Sequence, residues 1–195
     1  MIGGLVLLAL VVLSAVAAMV LYNGLVARRN GYRNAFGQID VQVKRRHDLV
    51  PNLVATAREY LKHERETLEA VVRARAEASG AAVRAAQRPG DPGAMQAMAG
   101  AEAALSGSLS RLIAVAESYP DLKANATMAS LMEELSSTEN RIAFARQAYN
   151  DAVMDYNTAR ESFPAVVLST SFGFGPAAQY QVETPSDRQP VQVAF

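Results

Sequence analysis

Few residues in this chain have types and spacings that could do chemistry, and what they lack excludes most reactions. His47 and His63 are the only histidines, and cysteine is absent. That removes thiol nucleophiles, disulfides and cysteine-type metal sites. Glu59 and His63 lie four apart and so share a helix face. A di-iron bundle needs Glu-x-x-His pairs converging from several helices, and neither that spacing nor His-Glu-x-x-His occurs. Glu59 and His63 read as a surface contact beside Lys62, Glu64 and Arg65. No serine, histidine and acid are arranged as a triad, and no glycine loop follows a strand to cradle a phosphate. The sequence predicts no catalytic residue, no metal and no cofactor.

Two polar groups stand out from this background. Glu139, Asn140 and Arg141 sit between the apolar positions Leu135 and Ile142, and Asp40 and Lys44 are placed similarly on an earlier helix. A binding groove would use such residues; so would a polar network that sets helix register, as buried polar groups do in coiled coils. The register role is favoured. Tyr149-Asn150 and Tyr156-Asn157 repeat one heptad apart on one helix face. Their tyrosines fit core positions with hydroxyls at the rim, and a partner-binding stripe is the alternative.

The elements that hold these residues are helical. Apolar side chains recur three and four apart over long stretches, and no strand is expected in the domain. A first soluble helix carries Phe36, Ile39, Val43, Val50, Leu53, Ala57, Leu61, Leu68 and Val71 on one face, interrupted by Pro51. Pro51 either kinks this helix or sits in the first turn of a new one capped by Asp48. A second helix is expected over residues 94–118 and a third over 123–162, with loops at 87–93 and at Tyr119-Pro120-Asp121. Long helices joined by short loops pack as an antiparallel bundle. Three helices would start the tail far from the membrane; four would return it to the bilayer.

Ahead of the bundle, residues 1–27 contain no charged side chain, and residues 2–21 are apolar apart from one serine and two glycines. About 20 helical residues span a hydrocarbon core of roughly 30 Å. Arg28, Arg29 and Arg33 follow, with Tyr22 at the boundary, the residue types an interface selects. Ala15-Val16-Ala17 offers a small-residue cleavage pattern, but no positive segment precedes the apolar run, which argues against a signal peptide. The expectation is therefore an anchor (1–27), a helical bundle (28–163) and a glycine- and proline-containing aromatic tail (164–195) that forms no helix of its own and has one strand-like run, residues 165–168. Positive-inside bias places the N-terminus outside and the bundle in the cytoplasm. Nineteen basic and nineteen acidic residues cancel, which argues against nucleic acid as a partner. The basic excess over residues 28–75 suits either anionic headgroups or the acidic face of residues 117–161.

Several runs carry a family resemblance. They are Tyr22-Asn23-Gly24-Leu25-Val26, the stretch from Ile39-Asp40 through Arg46-His47-Asp48-Leu49-Val50-Pro51-Asn52-Leu53-Val54, Tyr119-Pro120-Asp121-Leu122-Lys123-Ala124-Asn125, Leu135-Ser136-Ser137-Thr138-Glu139-Asn140-Arg141-Ile142, the two Tyr-Asn pairs and Phe172-Gly173-Phe174. In this order they resemble the LemA family over nearly the whole chain, with Phe36 where a tryptophan is usual. The resemblance implies a bacterial membrane protein with one N-terminal anchor and a helical bundle. It brings no activity with it, although the family includes a relative involved in forming magnetosome membranes. The expected function is a non-enzymatic scaffold or interaction protein that self-assembles at the lipid bilayer; the alternative is a regulatory adaptor of a membrane enzyme such as a protease. The tail is expected to make the assembly contact, with Phe172 and Phe174 crossing a subunit boundary as aromatic anchors, helped by Tyr149 and Tyr156.

Overall fold

In the computed structural model, which describes residues 2–181, the chain forms six helices: α1 (Ile2–Tyr60), α2 (Arg65–Gln87), α3 (Pro92–Ala116), α4 (Pro120–Lys123), α5 (Ala126–Glu161) and α6 (Ala165–Ser171). The fold is all-α. α1 is long and apolar enough at its N-terminal end to cross a membrane, and its most apolar stretch packs against nothing. The same helix continues without a break into the bundle, so anchor and bundle share one rod.

Pro51 lies inside α1 and neither ends it nor starts a new helix. A mid-helix proline orphans the carbonyl four residues back, here that of His47. The Arg75 side chain donates to this carbonyl from α2 (Nε to O, 2.9 Å), which replaces the missing bond. The chain instead reverses at residues 61–64, which hold no glycine or proline. The turn closes through Glu64 N–H to Leu61 O, while Leu61 stays buried. The apolar stripe that runs on past residue 61 buries more surface by folding back on itself than by continuing into water.

The later helices start where local chemistry directs. Asp91 caps α3 by accepting from Ala94 N–H (2.9 Å), with Pro92 in the first turn. Asn125 caps α5 by accepting from Met128 N–H (3.0 Å). The long helices α1, α2, α3 and α5 alternate in direction, so α5 ends beside the anchor. Arg28 pairs with Asp155 (3.2 Å), and Arg45 approaches Glu134 (3.9 Å). The even count brings the tail back to the end of the bundle from which α1 extends as the anchor.

The tail departs from expectation. Residues 165–171 form a helix rather than a strand, because Ala165 and Ser169, four apart, turn inward together. Residues 182–195, including Pro185, Pro190 and Phe195, lie outside the described residues.

The core divides into two. Near the anchor, Leu25, Tyr32, Phe36, Ile39, Val43, Met95, Met98, Ile142, Tyr149, Val153 and Tyr156 pack together. At the far end, Val50, Leu53, Leu61, Leu68, Leu105, Leu112, Leu122, Met128 and Leu135 form a second cluster.

Candidate functional site

A layer of charge separates the two apolar clusters. Arg46 and His47 project from α1 on the stripe that otherwise reads Ile39, Val43, Val50, Leu53; Glu102 projects from α3 between Met98 and Leu105. All three are buried. The Arg46 guanidinium pairs with Glu102 and with Glu139 of α5, and its Nη1 donates to Ser106 Oγ (3.1 Å). His47 Nε2 donates to Glu102 Oε1 (2.9 Å). Burial pushes the Glu102 carboxyl up, but the His47 hydrogen bond and the Arg46 charge outweigh it and hold it below the ordinary range.

This layer is not the set expected from sequence. Only Glu139 takes part. Asp40 and Lys44 form a pair one turn apart on the surface of α1 (2.6 Å), and Asn140 and Arg141 are exposed. Arg46, His47 and Glu102 each interrupt an apolar stripe at helical spacing, which is the signal that marks them in the sequence. A charge among apolar neighbours is costly unless paired, so the positions that matter are the ones the stripe itself encloses.

Because the pairing depresses the Glu102 pKa relative to the unfolded chain, the layer contributes stability above the ordinary glutamate range and loses it as pH falls through the folded value. Arg46 and His47 from α1, Glu139 from α5 and the buried Tyr180 of the tail are charged or titratable groups near Glu102, and the tyrosine stays neutral across the acid range. Unfolding free energy should hold steady from pH 7 to about 5 and drop below about 4. Glu102→Gln should flatten that drop; an unchanged acid limb in this variant would remove Glu102 as its source.

The second constellation lies near the anchor. After Phe174 the tail runs extended along α5 in the opposite direction, and the two Tyr-Asn pairs grip its backbone. Asn157 donates to Ala177 O (2.8 Å) and accepts from Ala177 N–H (3.0 Å). Asn150 does the same for Tyr180 (3.2 and 2.8 Å). Tyr156 and Tyr149 donate their hydroxyls to Gly175 O (2.8 Å) and Ala178 O (2.7 Å). The spacing explains the register. Seven helical residues advance about 10.5 Å, and three extended residues, from 177 to 180, advance about 10 Å. Burial, then the neighbouring Tyr32, push the Tyr149 hydroxyl well above the ordinary tyrosine value, so it stays a donor.

The α2–α3 loop closes the other side of this strap. Ala178 N–H donates to Gly90 O (2.9 Å). Gly90 has φ of 87°, and an added Cβ would lie 3.1 Å from both the Ala177 Cβ and the Tyr32 ring. Gly90→Ala should cost about 1–2 kcal/mol from the left-handed backbone alone, with crowding against the strap added. An unchanged melting temperature would mean that the loop relaxes away from the strap.

Within the single chain, the residues expected at a subunit boundary contact their own fold. Tyr149 and Tyr156 are core residues whose hydroxyls hold their own tail. Phe172 and Phe174 meet Tyr22 edge-on, with ring centroids 5.3 and 5.4 Å apart. The Arg29 guanidinium sits over the Phe174 ring (4.9 Å). The expected interface residues Tyr22, Arg28 and Arg29 therefore anchor the strap or α5 as well; Arg33 is exposed.

These features define a class: an antiparallel helical bundle rising from a membrane-length helix, divided by a buried ion-pair layer and strapped by its own C-terminal segment. Residues 35–195 match the LemA family, and the chain belongs to it. It is similar to magnetosome protein MamQ of Magnetospirillum gryphiswaldense, 28% identical over 95% of this chain and 75% of the relative. Magnetosome proteins MamQ 2 and MamQ 1 of Paramagnetospirillum magneticum are each 35% identical over 52% of this chain, which spans 37% of their length. A bacterial membrane protein is the coarse description that the family, these relatives and the apolar helix support.

Proposed function

We propose that this chain is a membrane-anchored, non-enzymatic scaffold whose bundle, on the cytoplasmic side, takes a segment of a second copy of the chain. One observation carries the reading. α5 packs chiefly on α1, and α2 on α3, so α3 and α5 flank a groove. The strap occupies the end near the anchor, where Ala178 lies beside Met95 and Ala99. The far end, a groove of about 370 Å³, is open, with Leu109, Ile113, Met132 and Leu135 on its walls and Arg46 and Glu139 at its polar end. An apolar trough with a few convergent polar groups suits a protein segment. Among the described residues no group of three histidines and acids is placed to hold a metal. The relatives' names as magnetosome proteins support a role in organising a bacterial membrane. Arg28, Arg29 and Arg33 support the cytoplasmic side.

Ser136 is exposed on the groove wall, so Ser136→Trp should fill the groove without disturbing the core. The membrane-extracted particle should hold several copies of the parent chain and a single copy of the variant, as read by light scattering. A single-copy parent particle overturns self-assembly. Stoichiometric co-purification of a membrane protease that Ser136→Trp abolishes would make the groove an adaptor site instead.

A further inference from the structure

We propose that α6 and its flanks form a second membrane-contacting element, seated at the boundary of headgroups and acyl chains in the leaflet from which α1 emerges. The proposal rests on α1 being a bilayer anchor. Its depth follows from the contacts. Phe172 packs on Tyr22, the first residue past the apolar run. Within residues 2–21, Ala18 and Leu21 alone are half-buried, and α6 packs on α1 and α5. α6 therefore sits level with the end of the span, not with the body of the bundle.

Its surface suits lipid. Ala165 and Ser169 face inward, while Phe163, Val167 and Phe172 are 85, 62 and 58% exposed. No charged side chain occurs over residues 162–182. Contiguous apolar exposure of this kind marks a protein or membrane contact, and continuity with the anchor selects the membrane.

A separate observation concerns the hydroxyls. Ser169 and Thr170 each donate to Val166 O (2.9 and 3.1 Å), and Ser171 donates to Val167 O (3.0 Å). Polar groups satisfied within the segment are what a water-poor environment requires. Arg28, Arg29 and Arg33, about two to three turns past Tyr22 along α1, would stand at headgroup level. Two points of contact would fix the tilt of the bundle on the membrane, which a single helix leaves free.

The absence of cysteine gives a clean test. The full chain, reconstituted in phosphatidylethanolamine–phosphatidylglycerol vesicles, carries one environment-sensitive fluorophore on Phe163→Cys or Val167→Cys. Val12→Cys is the control for the anchor and Val72→Cys for the exposed bundle surface. The labels at 163 and 167 should emit between the label at 12 and the label at 72 and lose most of that emission to lipids spin-labelled near the headgroup; the label at 72 should show no blue shift and no quenching. Aqueous emission at 163 and 167 with lipid-like emission at 12 overturns the proposal and leaves the anchor standing. A blue shift without quenching by lipid means protein covers the patch, and also overturns it. Aqueous emission at 12 removes the anchor and the proposal with it.

Discussion

Glu102→Ala should melt far below the parent chain. It leaves the Arg46 guanidinium, 3% exposed, without its buried counter-ion, and Glu139, on the exposed side, cannot replace both partners. Breaking a buried pair from one side costs about 3–5 kcal/mol. For a chain of this size that is a fall of roughly 6–20 °C at about 2–4 °C per kcal/mol. The double variant Arg46→Met with Glu102→Leu should recover most of the loss, because well-packed apolar side chains replace buried ion pairs at little cost. Circular dichroism melts of the detergent-solubilised chain check both. A single variant within about 2 °C of the parent would show that water reaches Arg46, since a solvated guanidinium needs no partner.

The strap provides the second large effect. Asn150→Ala with Asn157→Ala removes four hydrogen bonds to the tail backbone. At about 0.5–1.5 kcal/mol each, the loss is roughly 2–6 kcal/mol. It should fall on the strap first: the amides of Ala177, Ala178 and Tyr180 should exchange with solvent as fast as an open segment, while the far apolar cluster keeps its protection. Removing residues 164–195 should likewise loosen the end of the bundle near the anchor, exposing Tyr149 and Tyr156. If that deletion instead reduced the copies per particle and left bundle stability unchanged, the tail would lie between subunits, as its aromatic content first suggested.

Both effects bear on how an anchored bundle presents a constant surface. The charge layer lies between two apolar clusters, and sliding α1 against α3 by a turn would leave Arg46 or Glu102 buried without its partner. The strap then ties the α2–α3 loop to α5. The open half of the groove is bounded by these two devices.

By itself the sequence determined the membrane-length apolar run, the helical class and, to within about three residues, the ends of α3 and the start of α5. Each is a local matter: an uncharged apolar run, a 3.6-residue period, and Asp91-Pro92 or Asn125 placed where a helix start needs an acceptor. It also displayed the heptad of Tyr-Asn pairs, but not what they hold, because a side chain that grips backbone leaves no mark on the sequence of the segment gripped. Only the tertiary structure decided the rest. Pro51 stays inside α1 because Arg75, from another helix, satisfies the His47 carbonyl. The chain turns at 61–64 because burial of two apolar stripes against each other outweighs continued local helix, where no breaker residue directs it. Residues 165–171 coil rather than extend because Ala165 and Ser169 find a common surface on α1 and α5. The charge layer recruits Glu102 rather than Asn140 or Arg141 because α3 brings it to Arg46, and the helix that faces a buried charge is settled by packing between distant segments.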